Sequence, residues 1–239
     1  MQKPDLISYQ NLRQLVGLLA LTFPVGLVVG AFLLCPAREV ELQSSISGYY
    51  HTAMRDVFVG TLCVVAFFLF SYRGYGPWDA FAAKAACVFA LGVAFFPTGL
   101  AAPYPACTIA PGPTGAWVSK VHYGCAALLF TTLAVFSLVL FTKSKGRMTA
   151  QKKKRNVIYR GCGVVMCLCM ALILLYRVFL EQTWLQAYKP VFWLEATALW
   201  AFGVSWLTKG EFLFGDRPGD EEQATTSRPG QPPRGHTVT

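Results

Sequence analysis

Charge is scarce in this chain. Only 14% of its 239 residues are charged, against 54% that are hydrophobic, whereas an ordinary soluble domain carries about 25% charged residues. Its eight cysteines form no matched pair of C-x-x-C motifs, which excludes a zinc ribbon. Walker A, Rossmann and haem-attachment patterns are absent, so nucleotide and covalent haem chemistry are not expected. No G-x-S-x-G elbow occurs either, which removes the commonest serine-hydrolase signature. The formal charge of +9 invites a nucleic-acid reading. Much of that charge, however, sits in residues 143–155, which contain no acidic side chain. Such clustering is what membrane orientation requires, and nucleic acid is not an expected partner.

Long apolar runs are what the chain has in abundance. A spanning helix needs about 20 predominantly apolar residues, and six such runs can be drawn, over residues 15–34, 52–72, 80–96, 116–141, 157–180 and 190–207. The expected fold is therefore all-α: a polytopic bundle of six transmembrane helices filling residues 1–210. The tail, 211–239, is rich in Pro, Gly, Thr and acidic residues and reads as disordered. The first run is longer than a signal-peptide core and ends in Leu33-Leu34-Cys35-Pro36 without the small residues of a cleavage site, so it is expected to stay. Pro24 falls within it, which a membrane helix tolerates when neighbours satisfy the freed carbonyl.

Lys143, Lys145, Arg147, Lys152, Lys153, Lys154 and Arg155 place the fourth connection in the cytoplasm by the positive-inside rule. With six spans both termini are cytoplasmic, and the location is a plasma or inner membrane. Residues 35–50, 98–115 and 181–189 then face outward. Cys35 and Cys107 lie in the first two of these loops, on the oxidising side, and are a candidate disulfide. Cys162, Cys167 and Cys169 fall in one apolar run and read as small hydrophobes.

The stretch 45–60, Ser-Ile-Ser-Gly-Tyr-Tyr-His-Thr-Ala-Met-Arg-Asp-Val-Phe-Val-Gly, is polar at the threshold of an apolar helix. The same orientation gathers His51, Arg55, Asp56, Lys120, His122, Arg177, Glu181 and Glu195 at outer helix ends, the walls of an outward-facing polar pocket. A carboxylate inside a spanning helix is either functional or paired. On one regular helix the four-residue spacing of Ser47, His51 and Arg55 puts them on one face, with Asp56 about 140° from His51, so that His51 and Asp56 do not easily bind one ion unless His51 precedes the helix. The preferred metal ligands are then His51, His122 and Glu195, holding zinc or another divalent ion. Ser47 or Asp56 would orient the attacking water, and Arg55 or Arg177 would hold an anionic lipid headgroup.

Plainer roles stand beside these. Histidines and tyrosines also anchor helices at headgroup depth, and Asp56 and Glu195 have Arg55, Lys120 and Arg177 as partners for a structural network. Two functional readings follow: a metal-dependent hydrolase of lipid amide or ester bonds, or a non-catalytic lipid- or solute-binding or accessory membrane protein. Transport is disfavoured, because charges cluster at one surface and no two halves correspond.

The segment Ser47-Gly-Tyr-Tyr-His51, with Asp56 following, resembles the S-x-x-Y/F-H motif of the superfamily of alkaline ceramidases and adiponectin-type receptors, membrane-embedded zinc amidases of seven helices. The resemblance implies His51 as a zinc ligand, with Ser47 and Asp56 supporting the zinc-bound water. That family closes its site with an H-x-x-x-H helix, whereas His122 is followed four residues later by Ala126. Over the whole chain, Ser45-Ile46-Ser47, Arg55-Asp56-Val57-Phe58-Val59-Gly60, Phe192-Trp193-Leu194-Glu195 and Phe202-Gly203-Val204-Ser205-Trp206 resemble small six-helix bacterial-type families and the Frag/DRAM/Sfk-type membrane proteins. That likeness implies a multi-pass protein concerned with lipid or membrane-protein handling.

Overall fold

The computed structural model describes residues 9–35, 41–72, 74, 76–99, 115–144 and 149–214. Within them the chain is helical, with no strand. Six α-helices run up and down: α1 (Tyr9–Leu34), α2 (Arg55–Ser71), α3 (Pro77–Phe95), α4 (Ala116–Val135), α5 (Ala150–Leu175) and α6 (Pro190–Lys209). A 3-10 turn, Ile46–His51, precedes α2. Both α4 and α5 end in one π turn, Phe136–Leu140 and Tyr176–Leu180.

Five of these helices, all but α2, are long and apolar enough to cross a membrane, the mark of an integral multi-pass protein. Their outer faces agree. Phe32, Val88, Leu174 and Phe179 are all more than half exposed, a cost in water that vanishes in lipid. The helices extend beyond the apolar runs at the polar margins. α1 begins at Tyr9, and α5 begins at Ala150, so Lys152, Lys153, Lys154 and Arg155 lie on its first turns rather than in a loop. Thr149 caps that start, its side chain accepting the Lys152 amide.

Close approach of backbones holds α1 to α6. A Cβ added to Gly17 would lie 2.8 Å from the Gly203 carbonyl oxygen, and one added to Gly203 would lie 2.8 Å from that of Gly17. Small residues facing each other are how membrane helices gain dispersion contact without a hydrophobic drive. Two polar bonds reinforce α6. The buried hydroxyls of Ser137 and Ser205 meet at 2.8 Å, and the Trp200 indole donates to the Leu21 carbonyl at 3.1 Å. Helix α1 runs unbroken through Pro24. Proline there frees the Ala20 carbonyl, and the Trp200 bond falls one residue further along.

The bundle has two unlike ends. At the Lys209 end, Trp206 packs edge-on to Tyr72 and Phe141 at 5.3 and 5.4 Å. Cations lie over these and neighbouring rings: Arg13 over Tyr72, Lys209 over Phe141 and Lys152 over Tyr159. Aromatic faces compensate partly desolvated cations. The buried carboxylate of Asp79 takes the Lys143 ammonium at 2.7 Å. The opposite end carries Glu195 and both histidines of the described chain.

The Gly17–Gly203 contact makes a first prediction. Substituting Gly203→Ala is expected to cost about 1–3 kcal/mol through overpacking against backbone. Gly26→Ala, where an added Cβ meets nothing within 4 Å, should be neutral or mildly stabilising. Thermal unfolding of the two variants in detergent checks this.

Candidate functional site

The site begins with a backbone problem. A helix leaves its first N–H groups without partners, and the 3-10 turn starts where the chain is walled in by α6. Ser45 caps it, its Oγ accepting the Gly48 amide at 3.0 Å. Glu195 completes the cap from α6. Its Oε2 accepts the Ile46 amide at 2.6 Å, and the Ser47 amide also donates to this carboxylate. One turn earlier, the Phe192 amide donates to the Ser44 carbonyl at 3.1 Å. Residues 44–47 are thereby laced to the start of α6. Tyr49 lies fully inside, and burial pushes its phenol up to about 12, opposed by a bond from the Gln43 amide.

The histidines solve the complementary problem at the exit of α3, where carbonyls lack helical donors. His51 Nε2 lies 2.8 Å from the Thr98 carbonyl oxygen, and His122 Nδ1 lies 2.7 Å from that of Phe96. The Val93 carbonyl also faces the His122 ring. A carbonyl only accepts, so each of these ring nitrogens carries the hydrogen. The other nitrogen of a neutral imidazole then presents a lone pair, and His51 Nδ1 is buried without a hydrogen-bond partner. Burial lowers the pKa of His51, the Thr98 bond opposes that, and the nearby Arg55 charge lowers it further. His51 is therefore held neutral.

Beside this knot lies a cavity of about 770 Å³ between α4, α5 and α6. Most of its wall is apolar, from Ala126 and Phe130 of α4, Met170, Ile173 and Leu174 of α5, and Val191 of α6. Its polar groups are Ser45, Ser47, Thr98, His122, Tyr123, Arg177, Glu181 and Glu195. Arg177 is ion-paired with Glu181 one turn on, and its guanidinium lies 5.9 Å over the Tyr123 ring. The Thr98 hydroxyl donates to the Tyr123 hydroxyl at 3.0 Å.

Ser47, His122, Arg177 and Glu195 thus line one cavity. His51 is buried behind that wall. Arg55 is turned away, its Nε donating to the Tyr50 carbonyl at 2.8 Å and its guanidinium lying 4.9 Å over the Tyr50 ring. Asp56 and Lys120 are exposed on their helices and do not line the cavity. The expected shared face of Ser47, His51 and Arg55 does not form, because α2 starts only at Arg55 and the other two belong to the 3-10 turn. The angular separation of His51 and Asp56 on a single helix lapses for the same reason. Among the described residues no three His, Cys, Asp or Glu side chains gather as a metal site. Cys35 is disulfide-bonded; Cys63, Cys87, Cys125, Cys162, Cys167 and Cys169 are free. Cys107 lies outside the described residues.

Sequence reasoning passed over Thr98, whose carbonyl and hydroxyl both serve the site, and Phe130, which reads only as one more apolar residue. No family model, curated protein or solved structure matches this chain.

Two outcomes are expected from this geometry. Glu195→Ala strands two buried amides and should cost about 1–3 kcal/mol, while Glu195→Gln, keeping an acceptor, should cost less; thermal unfolding distinguishes them. For His51 the folded-state pKa lies below its ordinary value of about 6.5. Below that pH the unfolded chain takes up the proton first, so stability is full above it and falls on acidification. His51→Gln retains an N–H for the Thr98 carbonyl and should flatten the acid limb of a melting-temperature profile.

Proposed function

We propose that the protein is a six-span membrane protein that binds a membrane lipid in the cavity between α4, α5 and α6. The observation that carries this reading is the cavity itself, about 770 Å³ with an apolar wall and polar groups around Arg177, Glu181 and His122. Ligand pockets are commonly about 300–1,000 Å³, mostly apolar, with a few convergent polar groups. The chain of the lipid lies along Phe130, Ile173 and Leu174, and Arg177 meets its phosphate. The sixth span is α2, whose 17 residues reach about 26 Å at 1.5 Å per residue, near the hydrocarbon thickness of about 30 Å.

Two features support an outward-facing Glu195 end. The basic residues Lys143, Lys152, Lys153, Lys154, Arg155 and Lys209 belong to the other end, as the positive-inside rule asks of a cytoplasmic face. Cys35, directly after α1, is disulfide-bonded, and disulfides persist in oxidising compartments. Its partner in this reading is Cys107; non-reducing peptide mapping should return a peptide joining the two.

A second reading, hydrolysis of a lipid amide or ester, draws on Ser47, His122 and Glu195 lining the same cavity. The carbonyl bonds of His51 and His122 are of the kind that orient metal-ligating histidines, and zinc or another divalent ion held by these two and Glu195 would polarise the scissile carbonyl. The donor set fits a metal only in part, since Glu195 is already engaged by backbone amides.

The test is native mass spectrometry of the detergent-purified full chain with added lysophosphatidylethanolamine. Saturable binding, weakened about tenfold or more by Arg177→Ala, supports the lipid reading, and lack of any bound lipid overturns it. Cleavage of the lipid together with stoichiometric metal that is lost in His122→Ala would favour the hydrolase.

A further inference from the structure

A second, smaller cavity of about 70 Å³ lies among α1, α2, α3, α4 and α6 near the bundle axis. It is long for its volume. Its wall on α4 runs from Ala126 to Leu133 and on α6 from Glu195 to Phe202, in each case about 10 Å at the helical rise of 1.5 Å per residue. Its lining is apolar apart from Ser47, Thr61 and Glu195. A closed apolar cavity of about 150 Å³ stays dry and accepts a benzene ring.

The two cavities share four wall residues: Ser47, Ala126, Phe130 and Glu195. Those shared residues, Ser47 and Glu195 from the 3-10 turn and α6 and Ala126 and Phe130 from α4, make the two cavities neighbours. Helix α3 lines the axial cavity with Ala90, a fully buried position whose small side chain leaves room that a larger one would fill. Tight packing is the rule in protein interiors, so an elongated apolar cavity adjoining a lipid-sized pocket calls for an occupant of matching shape. A ring does not match a narrow shaft. An aliphatic chain does.

We propose that the axial cavity receives the terminal methylenes of the lipid chain held in the larger cavity, with Phe130 as the gate and Ala90 as the wall residue whose small size leaves room for them. This inference rests on the lipid-binding reading above. By comparison with the benzene-sized void, the cavity admits about two or three carbons. Ala90→Leu adds an isopropyl group to that wall and fills the space. Phe130→Ala opens the gate and joins the two volumes.

The experiment measures binding of lysophosphatidylethanolamines of stepped saturated chain length, lauroyl to stearoyl, to the full-length wild type, Ala90→Leu and Phe130→Ala. Native mass spectrometry reports occupancy, and thermal unfolding confirms that each variant is folded; Ala90→Val replaces Ala90→Leu if the latter does not fold. The expected result is a wild-type optimum that moves to chains shorter by about two to three carbons in Ala90→Leu, with tight binding of the shortest lipid kept. Phe130→Ala should flatten the preference toward longer chains. Saturable wild-type binding with an unchanged optimum in both variants overturns the axial-cavity proposal and leaves the lipid site standing. No saturable binding by the wild type at any length overturns both.

Discussion

Everything at the Glu195 end depends on one constraint: backbone groups that leave regular helices inside a low-dielectric bundle must find partners there. An unmet amide or carbonyl in such surroundings costs several kcal/mol, more than most single side-chain contacts return. Glu195 meets the amides of Ile46 and Ser47 where the 3-10 turn begins. His51 and His122 meet the carbonyls of Thr98 and Phe96 where α3 ends. Three ionisable side chains, from three separate segments, are thus fastened to backbone. The wall they make is rigid, and the cavity beside it keeps its shape because of that.

This arrangement changes what the ionisable residues mean. In lipid-facing helices a carboxylate is first suspected of chemistry, yet Glu195 does for the 3-10 turn what a capping side chain does for a helix. The same holds for the histidines, whose N–H groups stand in for absent helical donors. Chemistry is not thereby removed. The lone pair on His51 Nδ1 and the position of His122 on the cavity wall remain, and a site rigidified through its backbone is a good place to orient a bound molecule.

The two ends of the bundle divide the remaining work. Near Lys209, cations rest on Tyr72, Phe141 and Tyr159, and Asp79 takes Lys143, an arrangement suited to an interface where charge and apolar surface meet. Near Glu195, one guanidinium stands among two carboxylates, with Arg177 paired to Glu181 and electrostatically coupled to Glu195. Between them, glycine-mediated contact of α1 with α6 keeps one side tight, while α5 buries Lys152 through Cys169 at intervals and beyond that only Tyr176. The larger cavity opens where that packing lapses.

Periodicity and composition alone determined the helical class and the long apolar helices, because a bilayer imposes run length directly on sequence. They also brought Ser47, His122, Arg177 and Glu195 to one end, since antiparallel connectivity follows from counting spans. What they misjudged was local. Thr52 to Met54 read as helix, yet the 3-10 segment ends at His51 and α2 waits until Arg55, which separates His51 from Arg55 and leaves Asp56 exposed. Only the tertiary structure decided that Glu195 would serve the backbone of Ile46, that Thr98 would hold His51, and that Phe130 would border two cavities. Those outcomes depend on which side chain reaches which unpaired amide or void across about 50 to 150 residues of separation, and no pattern within one helix encodes that distance.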